Sequence, residues 1–147
     1  MRKPVRSFPV KGQPVAKARA RQGTNKKTGG RFWYTPSKTA KAEQLIALAY
    51  RANNIGTELI DQPVMLKVNF FFQMPKSWAK KKKEAHNGRP HTQKPDLDNL
   101  VKTVKDALNK IAWHDDSQVF SVTAEKYWTA GEGMTRVEIT TEKGEFA

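Results

Sequence analysis

The clearest alternation of apolar and polar positions runs from Val64 to Gln73. Val64, Leu66, Val68, Phe70 and Phe72 fall on one side of an extended segment and Met65, Lys67, Asn69, Phe71 and Gln73 on the other. This predicts a strand with one wholly apolar face. Further on the period changes. Leu97, Leu100, Val101, Val104, Ala107, Leu108 and Ile111 recur at intervals of three and four, which predicts an amphipathic helix over about 97–111. Another helix is predicted from Ser37, as its cap, to Asn53 or Asn54, with Leu45, Ile46, Leu48 and Ala49 at helical spacing and Gly56 beyond its end. Shorter signals complete the order. They are a first strand over Val5–Val10, a short basic helix around Ser77–Lys83, and two last strands, Gln118–Trp128 and Met134–Thr141, turning at Gly131-Glu132-Gly133. The order β-α-β-(α)-α-β-β predicts a single α/β (α+β) domain over 1–147, with a mixed sheet of about four strands and two to three helices.

Two segments fall outside this pattern, residues 11–35 and 76–94, and both are basic. The first is expected to be a long loop or a loose hairpin with Gly29-Gly30 as its turn and Phe32, Trp33 and Tyr34 near its end. A loop of that length in a compact domain points to binding. The chain carries 27 Lys and Arg against 14 Asp and Glu, a formal charge of +13, and no acidic residue precedes Glu43. Between Lys76 and Lys94 the only acid is Glu84. Such blocks suit a polyanion, because Lys and Arg displace counterions from phosphate. They lack the apolar face of an interfacial helix, so nucleic acid is preferred to an anionic membrane. Lys17, Arg19, Arg21, Lys80, Lys81, Lys82, Lys83 and Lys94 are the expected DNA contacts. There is no cysteine, which excludes disulfides, thiolate zinc sites and a cysteine nucleophile. No stretch has the apolar length of a membrane span, and the basic N-terminus lacks the apolar run of a secretory signal.

Against this basic background the aspartates stand out. Five of the six lie between positions 96 and 116. Asp96 and Asp98 sit at the mouth of the amphipathic helix after Lys94-Pro95, where one of them would serve as an ordinary cap. Two acids at i and i+2 point the same way only in extended chain, so a site straddling the loop-to-helix junction would aim both at one place. Asp115 and Asp116 follow the helix and are expected to face opposite sides of the strand they open. Clustered carboxylates without cysteine suit Mg²⁺ or Mn²⁺, which can activate water against a phosphodiester. Lys102 lies one helical turn after Asp98, placed either for a salt bridge or for holding a phosphate.

Lys94-Pro95-Asp96-Leu97-Asp98-Asn99-Leu100-Val101-Lys102, then Asp106-Ala107-Leu108-Asn109 and Asp115-Asp116-Ser117-Gln118-Val119, resemble in order and spacing the RusA family of Holliday junction resolvases. The basic Gly12-Gln13-Pro14 start resembles one branch of that family, with Ala20 where a proline is more usual. The resemblance implies a homodimeric bacterial endonuclease, often of phage or prophage origin and working in the cytoplasm. Such an enzyme makes paired nicks in four-way DNA junctions with Mg²⁺ or Mn²⁺. It implies Asp96, Asp98 and Asp116 as catalytic metal ligands, Lys102 as the catalytic lysine and Asp115 as support. A nuclease for forks or flaps shares this chemistry, and a non-catalytic basic DNA-binding protein is the rival from another class.

Reach leaves one question. A helix over 97–111 spans ~21 Å at its usual rise, and the five residues on to Asp116 return at most ~17 Å. Asp116 therefore meets Asp98 in its own chain only by running almost straight back. Otherwise a dimer partner supplies it. Of the remaining residues, His114 is a minor candidate for a base or ligand, and His86 and His91 are expected at phosphate or solvent. Trp33 and Tyr34 either stack on exposed bases or anchor their loop to the core. Phe71, on the polar side of its strand, is a candidate for a dimer contact.

Overall fold

The computed structural model describes residues 6–142. Its main sheet has four strands: β1 (Arg6–Lys11), β4 (Val64–Gln73), β5 (Val119–Thr129) and β6 (Met134–Thr141), in the order β1-β6-β4-β5. β6 runs antiparallel to both β1 and β4, and β4 runs parallel to β5. A parallel pair needs a crossover. Two helices lie in that connection, α2 (Lys80–His86) and α3 (Leu97–Leu108), while α1 (Ser37–Asn53) comes earlier in the chain. A separate hairpin, β2 (Arg21–Thr24) with β3 (Arg31–Tyr34), forms a two-stranded sheet of its own.

The alternation in β4 does what the sequence demands. Val64, Leu66, Val68, Phe70 and Phe72 are all buried, and they form one core with Phe8, Val137 and Ile139 of the neighbouring strands. Ile46 and Tyr50 of α1 and Leu100, Val104, Ala107 and Leu108 of α3 close over it. Burial of a large aliphatic or aromatic side chain is worth roughly 1.5–3 kcal/mol, so this single face carries most of the stabilisation. On the opposite face Phe71 stacks against Tyr127, ring centres 5.9 Å apart.

Several boundaries differ from expectation for local reasons. The first strand begins within the described residues at Arg6 and runs to Lys11; Val5 lies outside them. Ser37 does not cap α1: Pro36 occupies that position with extended backbone, and no side chain caps the helix. α2 begins at Lys80, after Ala79, so Ser77 and Trp78 precede it. α3 stops at Leu108 and not at Ile111, because Asn109 turns extended (φ −60°, ψ 127°) and Lys110 adopts a left-handed φ of 64°. A left-handed residue just past a helix is a normal stop signal, but here no glycine advertises it. β5 begins one residue later than expected, behind a 3-10 turn at Asp116–Gln118.

Candidate active site

An open cleft of roughly 790 Å³ lies between the base of the hairpin, the start of α1 and the approach to α3. Arg21 and Lys94 line it from the basic segments and Lys38 from α1, and its wall reaches Pro95, the residue before Asp96. The approach is firmly held. Lys126 of β5 donates from Nζ to the carbonyls of Gln93 and Pro95, each at 2.7 Å. Sequence reasoning missed Lys126. Its only signal was parity, since it shares the helix-bearing side of β5 with Ala124 and Trp128.

Asp96 takes the N-cap position of α3 with extended backbone (φ −67°, ψ 142°), but its side chain makes no capping hydrogen bond. The ordinary explanation for an acid at this position is therefore set aside. Asp98 lies in the first turn, where the helix dipole favours negative charge. Both are exposed, and Lys102 is exposed on the next turn with no ion pair among the described residues.

Asp116 stands elsewhere. Its Oδ1 accepts from Nε1 of Trp113, a fully buried indole, at 2.8 Å. Asp115 is exposed and caps the 3-10 turn. It accepts from the Ser117 amide at 2.9 Å while the Asp115 amide donates to Gln118 Oε1, and the Ser117 bond lowers the Asp115 pKa. Gln118 also donates to the carbonyls of Ile60 and Gln62. The two adjacent acids thus diverge, one into its own turn and one onto a core tryptophan.

The positions of these bonds settle the question of reach. Lys126 ties its end of β5 to the start of α3, whereas Ile60 bonds both Ala112, just past the end of α3, and Gln118. α3 and β5 run in opposite directions, so Asp116 lies at the far end of the helix from Asp98. Ten helical residues from Asp98 to Leu108 make that ~15 Å. Among the described residues no three His, Asp or Glu side chains come together in a group able to hold a metal ion. The donors are chemically right for a hard divalent cation, but one chain does not assemble them.

The basic residues divide by role. Arg19 and Arg21 are exposed at the root of the hairpin, and Lys80 to Lys82 on α2, with Lys83 half-buried. Lys82 sits over the Trp78 ring at 4.2 Å. Lys17 is different. Its ammonium bridges Glu43 of α1 at 2.7 Å and Asp106 of α3 at 3.1 Å. Burial pulls its pKa down, and the two carboxylates more than compensate, leaving it raised. His91, expected at phosphate or solvent, is buried between the rings of Phe72 and Trp128, with centroids 4.2 and 4.3 Å away. Burial, with help from the Lys126 charge, lowers its pKa. His86 donates from Nδ1 to the Lys82 carbonyl and packs on Trp78. His114 is exposed. Trp33 does not anchor its loop to the core: it is 70% exposed on β3, beside Phe32 and Tyr34, which are also exposed.

A cleft with three basic residues in its wall, reaching Pro95 next to a pair of exposed aspartates, defines a candidate phosphodiester-cutting protein. Residues 11–142 match the family described as Endodeoxyribonuclease RusA, and the chain belongs to that family. It is similar to the uncharacterized protein YqaN of Bacillus subtilis (strain 168), 39% identical over 127 residues that cover 83% of this chain and 87% of that protein. Among the described residues no helix is long and apolar enough to cross a membrane.

Proposed function

We propose that this protein is a Holliday junction resolvase, a divalent-metal-dependent endonuclease that makes paired nicks in four-way DNA junctions during recombination or repair. The observation that carries the reading is the pair Asp96 and Asp98 at the mouth of α3. Asp96 is not used as a cap, and a basic cleft in an endodeoxyribonuclease family ends beside it. Asp96, Asp98 and Asp116 hold Mg²⁺ or Mn²⁺, and Lys102 neutralises charge on the phosphate. Because Asp116 stands at the far end of α3 in its own chain, the acid set is completed by a second copy in a homodimer. Asp115 supports the site indirectly, by capping the turn that presents Asp116. Arg19, Arg21, Lys80, Lys81, Lys82, Lys83 and Lys94 contact the DNA backbone, while Lys17 holds the scaffold together. The enzyme works in the bacterial cytoplasm, on chromosomal or phage DNA.

The test is cleavage of a labelled, mobile four-way junction in Mg²⁺ and again in Mn²⁺, with wild type and Asp98→Asn side by side. Symmetric nicks that vanish in the mutant while binding persists are expected. Equal cutting of Y-forks and flaps would make it a general branched-DNA nuclease. Binding with no cutting by either protein in either metal would leave a junction-binding protein and end the catalytic assignment.

A further inference from the structure

β2 and β3 form a hairpin with no buried face. Residues directly opposite each other in an antiparallel pair share a face. Phe32 and Tyr34 therefore lie with Gly23 and Arg21, and Trp33 and Arg31 with Gln22 and Thr24. No residue of either strand is buried, and Trp33, Phe32 and Tyr34 are 70%, 48% and 43% exposed. An isolated two-stranded hairpin is marginal in water, and rings that bury so little do not hold it together. The rings are nonetheless set in place. A Cβ on Gly23 would stand 2.6 Å from Cζ of Phe32, so that ring reaches across the opposite strand into space any side chain there would fill. Tyr34 follows, with 6.0 Å between the ring centres. At the tip Asn25 accepts at Oδ1 from the Lys27 and Thr28 amides, and its main chain bonds to Gly29 and Gly30. The arm is a preformed blade with aromatic rings and an arginine on each face.

Charge decides what such a blade meets. Its root, strands and tip carry Arg19, Arg21, Lys26, Lys27 and Arg31, and no acidic residue precedes Glu43. That surface repels a second copy of a chain of charge +13 and suits a polyanion that also offers flat faces, which is a nucleic acid with unstacked bases. In a continuous duplex the bases are stacked on one another, and taking one out costs least where pairing is already interrupted. Arg21 sets the hairpin root on the wall of the cleft that reaches Pro95, so DNA lying in the cleft passes the arm. We propose that the β2–β3 hairpin enters the open centre of the junction and stacks an unpaired base on each face. One base lies on Trp33 and the other on Phe32 and Tyr34, and the arm thereby selects a branch over a continuous duplex. The inference rests on the reading that the cleft holds branched DNA, and it assigns the preference for a branch to these rings and not to the acids.

Replacing an aromatic side chain that stacks on a base by alanine corresponds to a loss of about 5- to 150-fold in affinity. Without divalent metal, Trp33→Ala is expected to weaken binding to a four-way junction by that factor. Binding to an unbranched duplex of the same sequence should change by less than about twofold, and Tm by less than about 2 °C, since the ring is mostly exposed. Trp33→Phe should recover most of the loss. The slope of log affinity against log salt should stay that of wild type, because no charge is removed. Unchanged junction affinity, or equal loss on junction and duplex, would overturn the proposal. Trp33 is also its own reporter, since Trp113 and Trp128 are buried and Trp78 packs on the core. A short oligothymidylate is expected to quench the emission of wild type far more than that of Trp33→Phe. Quenching in a protein with no preference for the junction would defeat the resolvase reading and leave the stacking surface standing. No quenching would remove that surface, whatever DNA the protein cuts.

Discussion

Replacing Lys126 by methionine keeps the length and apolar stem of the side chain and removes only the ammonium that grips the Gln93 and Pro95 carbonyls. Hydrogen bonds from a charged donor are worth roughly 1.5–3 kcal/mol each. Fixing a lysine side chain costs up to about 2 kcal/mol in rotamer entropy, and the group is only half-buried. The net loss should be about 2 kcal/mol. In a domain of this size each kcal/mol moves Tm by roughly 2–4 °C, so thermal unfolding followed by circular dichroism should fall by about 4–8 °C. Activity should suffer more. Pro95 adjoins Asp96, and a displacement of about 1 Å at a reacting group can cost on the order of 100-fold in rate. Junction cleavage should drop by roughly 10- to 100-fold with binding changed only a few-fold, and Lys126→Arg should recover part of it. A Tm fall with undiminished cleavage would refute the claim that this strap positions Asp96. A Tm within about 1 °C of wild type would refute the energetic argument as well.

Other consequences can be measured directly. His91 is held below the usual histidine pKa, so the unfolded chain takes up this proton first. Its contribution to stability is therefore full above about pH 6.5 and is lost as the pH falls towards the depressed folded value. His91→Phe should flatten that part of a urea-denaturation pH profile, and an unchanged slope would show that His91 does not cause it. Gln118→Ala removes the reciprocal partner of Asp115 and the bonds to Ile60 and Gln62, and should lower unfolding free energy by roughly 1–3 kcal/mol, measured by denaturant titration. Asp116→Asn keeps an acceptor for Trp113, so its Tm should stay within a few degrees of wild type while cleavage is lost; coupled loss of both would assign Asp116 a structural role. Arg19→Ala with Arg21→Ala should weaken junction binding and reduce the slope of log affinity against log salt by up to about 2. An unchanged slope would remove the hairpin root from the interface.

Where local pattern and tertiary demand coincide, the chain is legible. β4 and α3 announce themselves because each buries one face, and period alone identifies that face. The mixed four-stranded sheet follows from such signals, whereas the first basic segment leaves loop and hairpin open, with Gly29-Gly30 as its turn signal, and the family is legible from the motif resemblance between Lys94 and Val119. What stays hidden depends on distant partners. His91 looks like a surface histidine in a basic loop, and Phe72 and Trp128, both distant along the chain, enclose it. Ile111 fits the helical spacing, yet a left-handed Lys110 ends the helix before it, with no glycine as warning. For Asp116 the chain length gave an upper bound on reach and nothing about direction. The Trp113 bond and the Gln118 contacts with Ile60 and Gln62 decide that direction, and none of these is a local preference.

Among the described residues the hairpin pairs with no strand of the main sheet, yet its root is fixed at four points. The Lys17 amide donates to the Asn99 carbonyl, its ammonium joins α1 to α3, and the Ala18 amide donates to Thr39. Mechanically this is a lever with its fulcrum on the first turn of α3, three residues from Asp96. The other end of the hairpin passes from Tyr34 through Thr35 and Pro36 straight into α1, so the aromatic arm is anchored to α1 on one side and to the first turn of α3 on the other.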